Sequence, residues 1–166
     1  MLHVRSTSPA ATHAIASAVA SVCRAGDMIV LAGEMGAGKT AFAQGFGAAL
    51  GITEQITSPT FTLVHSYPLR KLTFHHADLY RLSTQHEVAD LALAELAEDG
   101  GIIVVEWGDV VASSLGDHLF VRIEIDPTDD GARELTLQGV GRTWATRWDV
   151  LTEHLAPFAP GGSRGC

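Results

Sequence analysis

The eight residues from Gly33 to Thr40, GEMGAGKT, fit the spacing G-x-x-x-x-G-K-[ST]. In that spacing glycines let a tight loop turn its N–H groups toward phosphate, and the helix that follows adds its positive end. Lys39 then reaches the β- and γ-phosphates of a nucleotide, and the Thr40 hydroxyl ligates Mg²⁺. The nucleotide-contacting candidates are therefore Glu34, Met35, Gly36, Ala37, Gly38, Lys39, Thr40 and Ala41, with Gly36 to Thr40 as the backbone cradle. A glycine-rich turn that chances to carry Lys-Thr is the bland alternative.

A Mg²⁺–nucleotide site also needs an acidic group near the metal and a group that places or deprotonates a nucleophile. Glu106 directly follows the apolar run IIVV, and Asp78 ends LTFHHAD. Ligands of open α/β sheets lie beyond the carboxyl ends of the strands, so both carboxylates face the loop if their strands run parallel to the one before it. Glu106 is assigned to the metal and Asp78 to the attacking water, as the two catalytic candidates, with the roles exchangeable. Either could instead be a helix cap or half of a surface pair. Trp107 packs near the nucleotide or in the core. His75, His76 and His86 are expected in core or surface roles, because adjacent strand residues point to opposite faces.

Elements that could position these groups are legible around them. AATHAIASAVASVCR, Ala10 to Arg24, places Ile15, Ala18, Val19 and Val22 on one helical face, with Gly26 as a stop. DMIVLAG is a strand, and KTAFAQGFGAALG returns to helical spacing through Phe42, Phe46 and Leu50. The loop thus sits between a strand and a helix, the context its pattern requires.

TFTLVHSY and KLTFHHAD read as a hairpin turning at Pro68 to Lys71, with Leu72, Phe74, His76 and Asp78 on one face. EVADLALAELAEDG reads as a helix striped by Val88, Leu91 and Ala94 or Glu95. GIIVVEW is a central-strand candidate, and HLFVRIEID and RELTLQG form an antiparallel hairpin across PTDDGA. WATRWDVLTEHLAPF is a C-terminal helix and PGGSRGC a frayed tail. The expected fold is α/β: a P-loop-like mixed sheet flanked by helices, with a C-terminal antiparallel hairpin. Residues 1–142 would form one domain and 143–166 a helical extension with a flexible tail.

Composition narrows the classes. The 166 residues are 46% hydrophobic and 18% charged, enough apolar content for a core and unlike a disordered chain. Net charge is -8, with 11 Lys and Arg against 19 Asp and Glu, and such a surface repels nucleic-acid backbones. Contact with RNA would run through a protein partner. Two cysteines make no disulfide framework, and no apolar run reaches membrane-spanning length, which together with the absence of a secretion signal points to the cytoplasm. No asparagine occurs, so the N-K-x-D guanine reader of GTPases is missing, as is D-x-x-G. Arg70, Arg81, Arg122 and Arg133 are scattered rather than gathered into a phosphate-clamping lid, so hydrolysis used as a switch outranks transfer to a small acceptor.

GEMGAGKT, SPTFTLVHSY (Ser58 to Tyr67), HHADLYRL (His75 to Leu82) and VVEWGD (Val104 to Asp109) together resemble the TsaE family, also called YjeE, over roughly Thr12 to Gly139. These are small bacterial P-loop ATPases of the tRNA threonylcarbamoyladenosine pathway. The resemblance implies slow ATP hydrolysis with Mg²⁺ and partnership with TsaB and TsaD, which modify the adenosine beside the anticodon, so that tRNA is met mainly through the complex and no membrane is involved. It implies Lys39 and Thr40 for phosphate and metal, Glu106 for the metal and Asp78 as the H-x-D-L-Y-R aspartate. Ser58 to Thr62 would be a nucleotide-sensing switch loop that brings Thr60 toward the γ-phosphate. Gly108 and Asp109 depart from the proline or alanine and glutamate that often follow E-W in the family. The competing functions are a P-loop phosphotransferase acting on a metabolite and a nucleotide-sensing module that releases no phosphate.

Overall fold

The computed structural model describes residues 1–59, 63–80, 82, 89, 92–110 and 112–161. Among them, seven strands form one mixed sheet in the order β1-β7-β6-β2-β5-β4-β3. The strands are β1 (Leu2–Ser6), β2 (Met28–Ala32), β3 (Val64–Pro68), β4 (Thr73–Asp78), β5 (Gly101–Glu106), β6 (His118–Asp126) and β7 (Asp129–Val140). β6, β2, β5 and β4 run parallel, whereas β7 pairs antiparallel with both β6 and the edge strand β1, and β3 pairs antiparallel with β4 at the other edge. This is the α/β class expected from the sequence.

Both faces of the central strands are covered, which is why MIVLA and GIIVVE are apolar without alternation. Ile29, Leu31, Ile102 and Val104 face one core, while Met28, Val30, Ile103 and Val105 face the other. The first core is closed by α1 (Pro9–Val22) and α2 (Lys39–Leu50), the second by α3 (Leu93–Glu98). The Ser8 side chain caps α1 by accepting from Ala11 N at 3.1 Å, and Pro9 supplies the preset first-turn backbone. The two helices come close because Gly45 has no Cβ; one there would lie 2.5 Å from His13 Cα.

Several local expectations are adjusted. α1 buries Thr12, Ile15, Ala16, Val19 and Ala20, a wider face than the stripe through Ala18 and Val22, because it is covered by α2 and by α4 (Trp148–Leu155). α3 buries Leu93 and Ala97, and leaves Ala94 and Glu95 exposed; Val88 and Leu91 lie outside the described residues. Only Pro127 and Thr128 separate β6 from β7: Asp129 pairs with Asp126, and the register then shifts so that Arg133 faces Ile125. β1 escapes sequence reading because it is short, meets a helix cap at once and, among the described residues, pairs with β7 alone.

Trp144, Leu151 and Leu155 of the C-terminal segment lie in the same core as α1. Arg147 locks this contact: its guanidinium donates to both Asp27 oxygens at 2.6 and 2.8 Å and to the Val22 carbonyl at 3.1 Å, and stacks on the Trp144 ring at 4.3 Å. Both ion-pair partners are largely buried, so removing one strands the other. Among the described residues no helix is long and apolar enough to cross a membrane. Arg147→Ala should lower unfolding free energy by about 2–4 kcal/mol in urea titration; a loss under about 0.5 kcal/mol would make the C-terminal segment a surface appendage.

Candidate functional site

β2 delivers the chain into the Gly33–Gly38 loop, and α2 starts at Lys39. Gly36 and Gly38 have φ of +81° and +110°, left-handed values that other residues resist, and a Cβ at either would point into open space. Gly33 is needed for another reason, because its Cβ would sit 2.3 Å from the Ile123 carbonyl oxygen on β6. From β7, Arg133 holds the loop's outer side: Nε donates to Ala37 O at 2.8 Å and Nη2 to Gly36 O at 3.4 Å.

Lys39 is 5% exposed and donates through Nζ to Gly33 O at 2.7 Å and Glu34 O at 2.8 Å. The ammonium also lies 3.9 Å from the Trp107 ring centroid. Burial pulls its pKa below the ordinary lysine value, opposed by the negative charges of Glu106, Asp78, Asp109 and Glu34.

The parallel register pairs Asp78 with Glu106, so both carboxylates arrive beside the loop at one level. Glu106, 3% exposed, accepts from the Thr40 hydroxyl at 2.9 Å and from His76 Nε2 at 2.8 Å. Asp78 accepts from the Ser58 hydroxyl and, through its other oxygen, from Tyr80 N at 3.0 Å. Trp107 has φ of +59°, a backbone region costly for a bulky residue, and its ring meets that of Tyr80 at 5.0 Å.

A cavity of about 310 Å³ gathers Met35, Gly36, Gly38, Lys39, Thr40, Ala41, Asp78 and Glu106, joined by Ser58, Tyr80 and Trp107. Glu34 lines a neighbouring cavity of about 500 Å³ with Asp109, Arg122 and Glu124, and Trp107 lines both. Ala37 has its side chain in the core and its N–H bonded to Glu34 O at 3.1 Å. Thr60 and His86 lie outside the described residues. His75 and His76 do point apart: His75 Nδ1 pairs with the Ser66 hydroxyl at 2.8 Å, whereas His76 meets Glu106. Among the described residues no cluster of three or more His, Cys, Asp or Glu is arranged to hold a metal by itself.

Sequence reasoning assigns His76 a core or surface role, and it is a core residue, but neither its bond to Glu106 nor the Arg133 brace is anticipated. For His76 the signal was available in the alternation that puts it on the Asp78 face of β4; for Arg133, 96 residues from Ala37, no local signal exists.

A strand–loop–helix with two strand-end carboxylates on a mixed, helix-covered sheet defines an α/β protein of P-loop-like fold. The family model described as threonylcarbamoyl adenosine biosynthesis protein TsaE matches residues 6–135, and the chain belongs to the TsaE family. The Bacillus subtilis protein named tRNA threonylcarbamoyladenosine biosynthesis protein TsaE is 37% identical over 152 residues, 92% of either chain. The Treponema pallidum protein of the same name is 44% identical over 112 residues, 68% of this chain and 82% of that one. The crystal structure of YdiB from Bacillus subtilis superposes with a TM-score of 0.77 at 32% identity, covering 92% of this chain and 95% of that one.

Because the folded Lys39 pKa lies below its ordinary 10.5, the unfolded chain binds more protons between the two values, and stability rises with pH there. The stability of the protein relative to Lys39→Met should therefore increase as pH rises toward 10.5 in urea titrations. A constant or falling difference would contradict the buried, desolvated ammonium.

Proposed function

We propose that this chain is a cytoplasmic Mg²⁺-dependent ATPase required for tRNA threonylcarbamoyladenosine biosynthesis, acting as a nucleotide-driven switch on a TsaB–TsaD complex. Family membership supports the pathway. The observation that carries the chemistry is the convergence of Lys39, Thr40, Glu106 and Asp78 on one cavity at the mouth of the glycine loop.

Mg²⁺ fits the donor set, since the Thr40 hydroxyl and the Glu106 carboxylate are hard oxygen ligands already 2.9 Å apart. Held there, the ion would supply charge neutralisation for the phosphates. Lys39 would exchange its bonds to Gly33 and Glu34 carbonyls for phosphate oxygens, and the N-terminus of α2 would add its positive end. Asp78, which the Thr40 hydroxyl does not contact, would orient a water and take its proton as the new bond to the γ-phosphorus forms and the bond to the bridging oxygen breaks.

The same carboxylate would supply the switch. Ser58 donates to Asp78, so engaging Asp78 with the attacking water competes with holding Ser58. Net charge of -8 fits docking on proteins better than on bare tRNA.

Phosphate release from Mg²⁺–ATP should be slow alone, rise with TsaB, TsaD and a substrate tRNA, and vanish in Lys39→Ala. Asp78→Ala should lower the stimulated rate by about a hundredfold or more. A rate indifferent to the partners would defeat the switch reading, and an undiminished Asp78→Ala rate would defeat the assignment of the water.

A further inference from the structure

Glu106 is held from two sides. Thr40 sits at the junction of the glycine loop and α2, so its hydroxyl belongs to the part of the site that meets the ligand. His76 belongs to the interior: it is fully buried, its ring lies nearly parallel to Phe74 at 6.5 Å and 16°, and Phe74 packs in turn on Phe46 and Tyr67.

The hydrogen bonds of His76 are unusual for so buried a ring. A carboxylate only accepts, so Nε2 carries the proton given to Glu106 Oε1, and Nδ1 is the ring's other polar atom. Nδ1 is buried without a partner among the described residues. An unpaired buried polar atom is costly, so packing alone gives no reason for an imidazole here in place of an apolar side chain. Both donors converge on one oxygen, His76 at 2.8 Å and Thr40 at 2.9 Å, and leave Oε2 with a single 3.3 Å contact from Thr40.

We propose that His76 is a positioning residue for the metal side of the site: by binding Oε1 from the core it fixes the Glu106 side chain and presents Oε2 to the Mg²⁺ that accompanies ATP. The inference rests on the Mg²⁺–ATP reading above. Oε1 already accepts from two donors, which leaves Oε2 as the freer oxygen of Glu106. Partners of this outer kind tune metal affinity without touching the ion, typically by about 10- to 100-fold.

The test is equilibrium binding of a fluorescent ATP analogue to the intact chain, titrated with Mg²⁺ from an EDTA baseline. His76→Leu should move the Mg²⁺ midpoint up by about tenfold or more while the affinity in EDTA stays within about twofold. His76→Gln, whose amide N–H can occupy the place of Nε2–H, should restore most of the shift, which loss of packing alone would not predict. If the leucine protein does not fold, His76→Phe keeps a ring on Phe74 and removes the donor.

A wild-type midpoint in the donor-free variant, or a glutamine protein as impaired as it, overturns the positioning role while leaving Mg²⁺–ATP binding intact. Binding by the unaltered chain that ignores Mg²⁺ overturns the underlying reading, and this inference with it.

Discussion

A carboxylate as deeply buried as Glu106 must have its oxygens satisfied, and the way this is done organises the site. One donor comes from the first turn of α2 and one from the interior of β4, so the helix start and the neighbouring strand are tied to the end of β5. The tie requires β4 and β5 to be parallel and in the register that sets Asp78 beside Glu106. A one-residue slip would turn His76 and Asp78 to the opposite face and leave Glu106 without its core donor.

The glycine loop is supported on its other side by a different strand. Arg133 engages carbonyls of Gly36 and Ala37, while the Ile123 carbonyl closes the space behind Gly33. Carbonyls held outward in this way belong to a loop whose left-handed glycines open toward the cavity. Lys39 completes the arrangement by bonding the carbonyls of its own loop under the Trp107 ring, which keeps a buried ammonium satisfied. The strained backbone of Trp107 then falls between the two cavities, where a side chain is held by contacts on both sides.

Away from the site, the C-terminal segment completes the core that α1 and α2 share with the sheet. Arg147 and Asp27 join it to the turn before β2, the strand that leads into the loop. The position of the loop therefore depends on packing at both ends of β2.

The strand–loop–helix at Gly33 to Thr40, the apolar central strands, the C-terminal hairpin and the pair of strand-end carboxylates were legible in the sequence, because each is written in glycine placement or in side-chain periodicity over a few residues. Those are local properties, and local sterics decide them. Within α3 the buried positions are Leu93 and Ala97 rather than Ala94 or Glu95, because a six-residue helix carries too little periodicity to orient itself, and β1 was missed because its only described strand partner is β7. Only the tertiary structure decided that His76 serves Glu106, that Arg133 braces the loop 96 residues away, and that Arg147 closes on Asp27 across 120 residues. Such contacts depend on strand order and register, which are set by the packing of the whole sheet and leave no mark in the spacing of neighbouring residues.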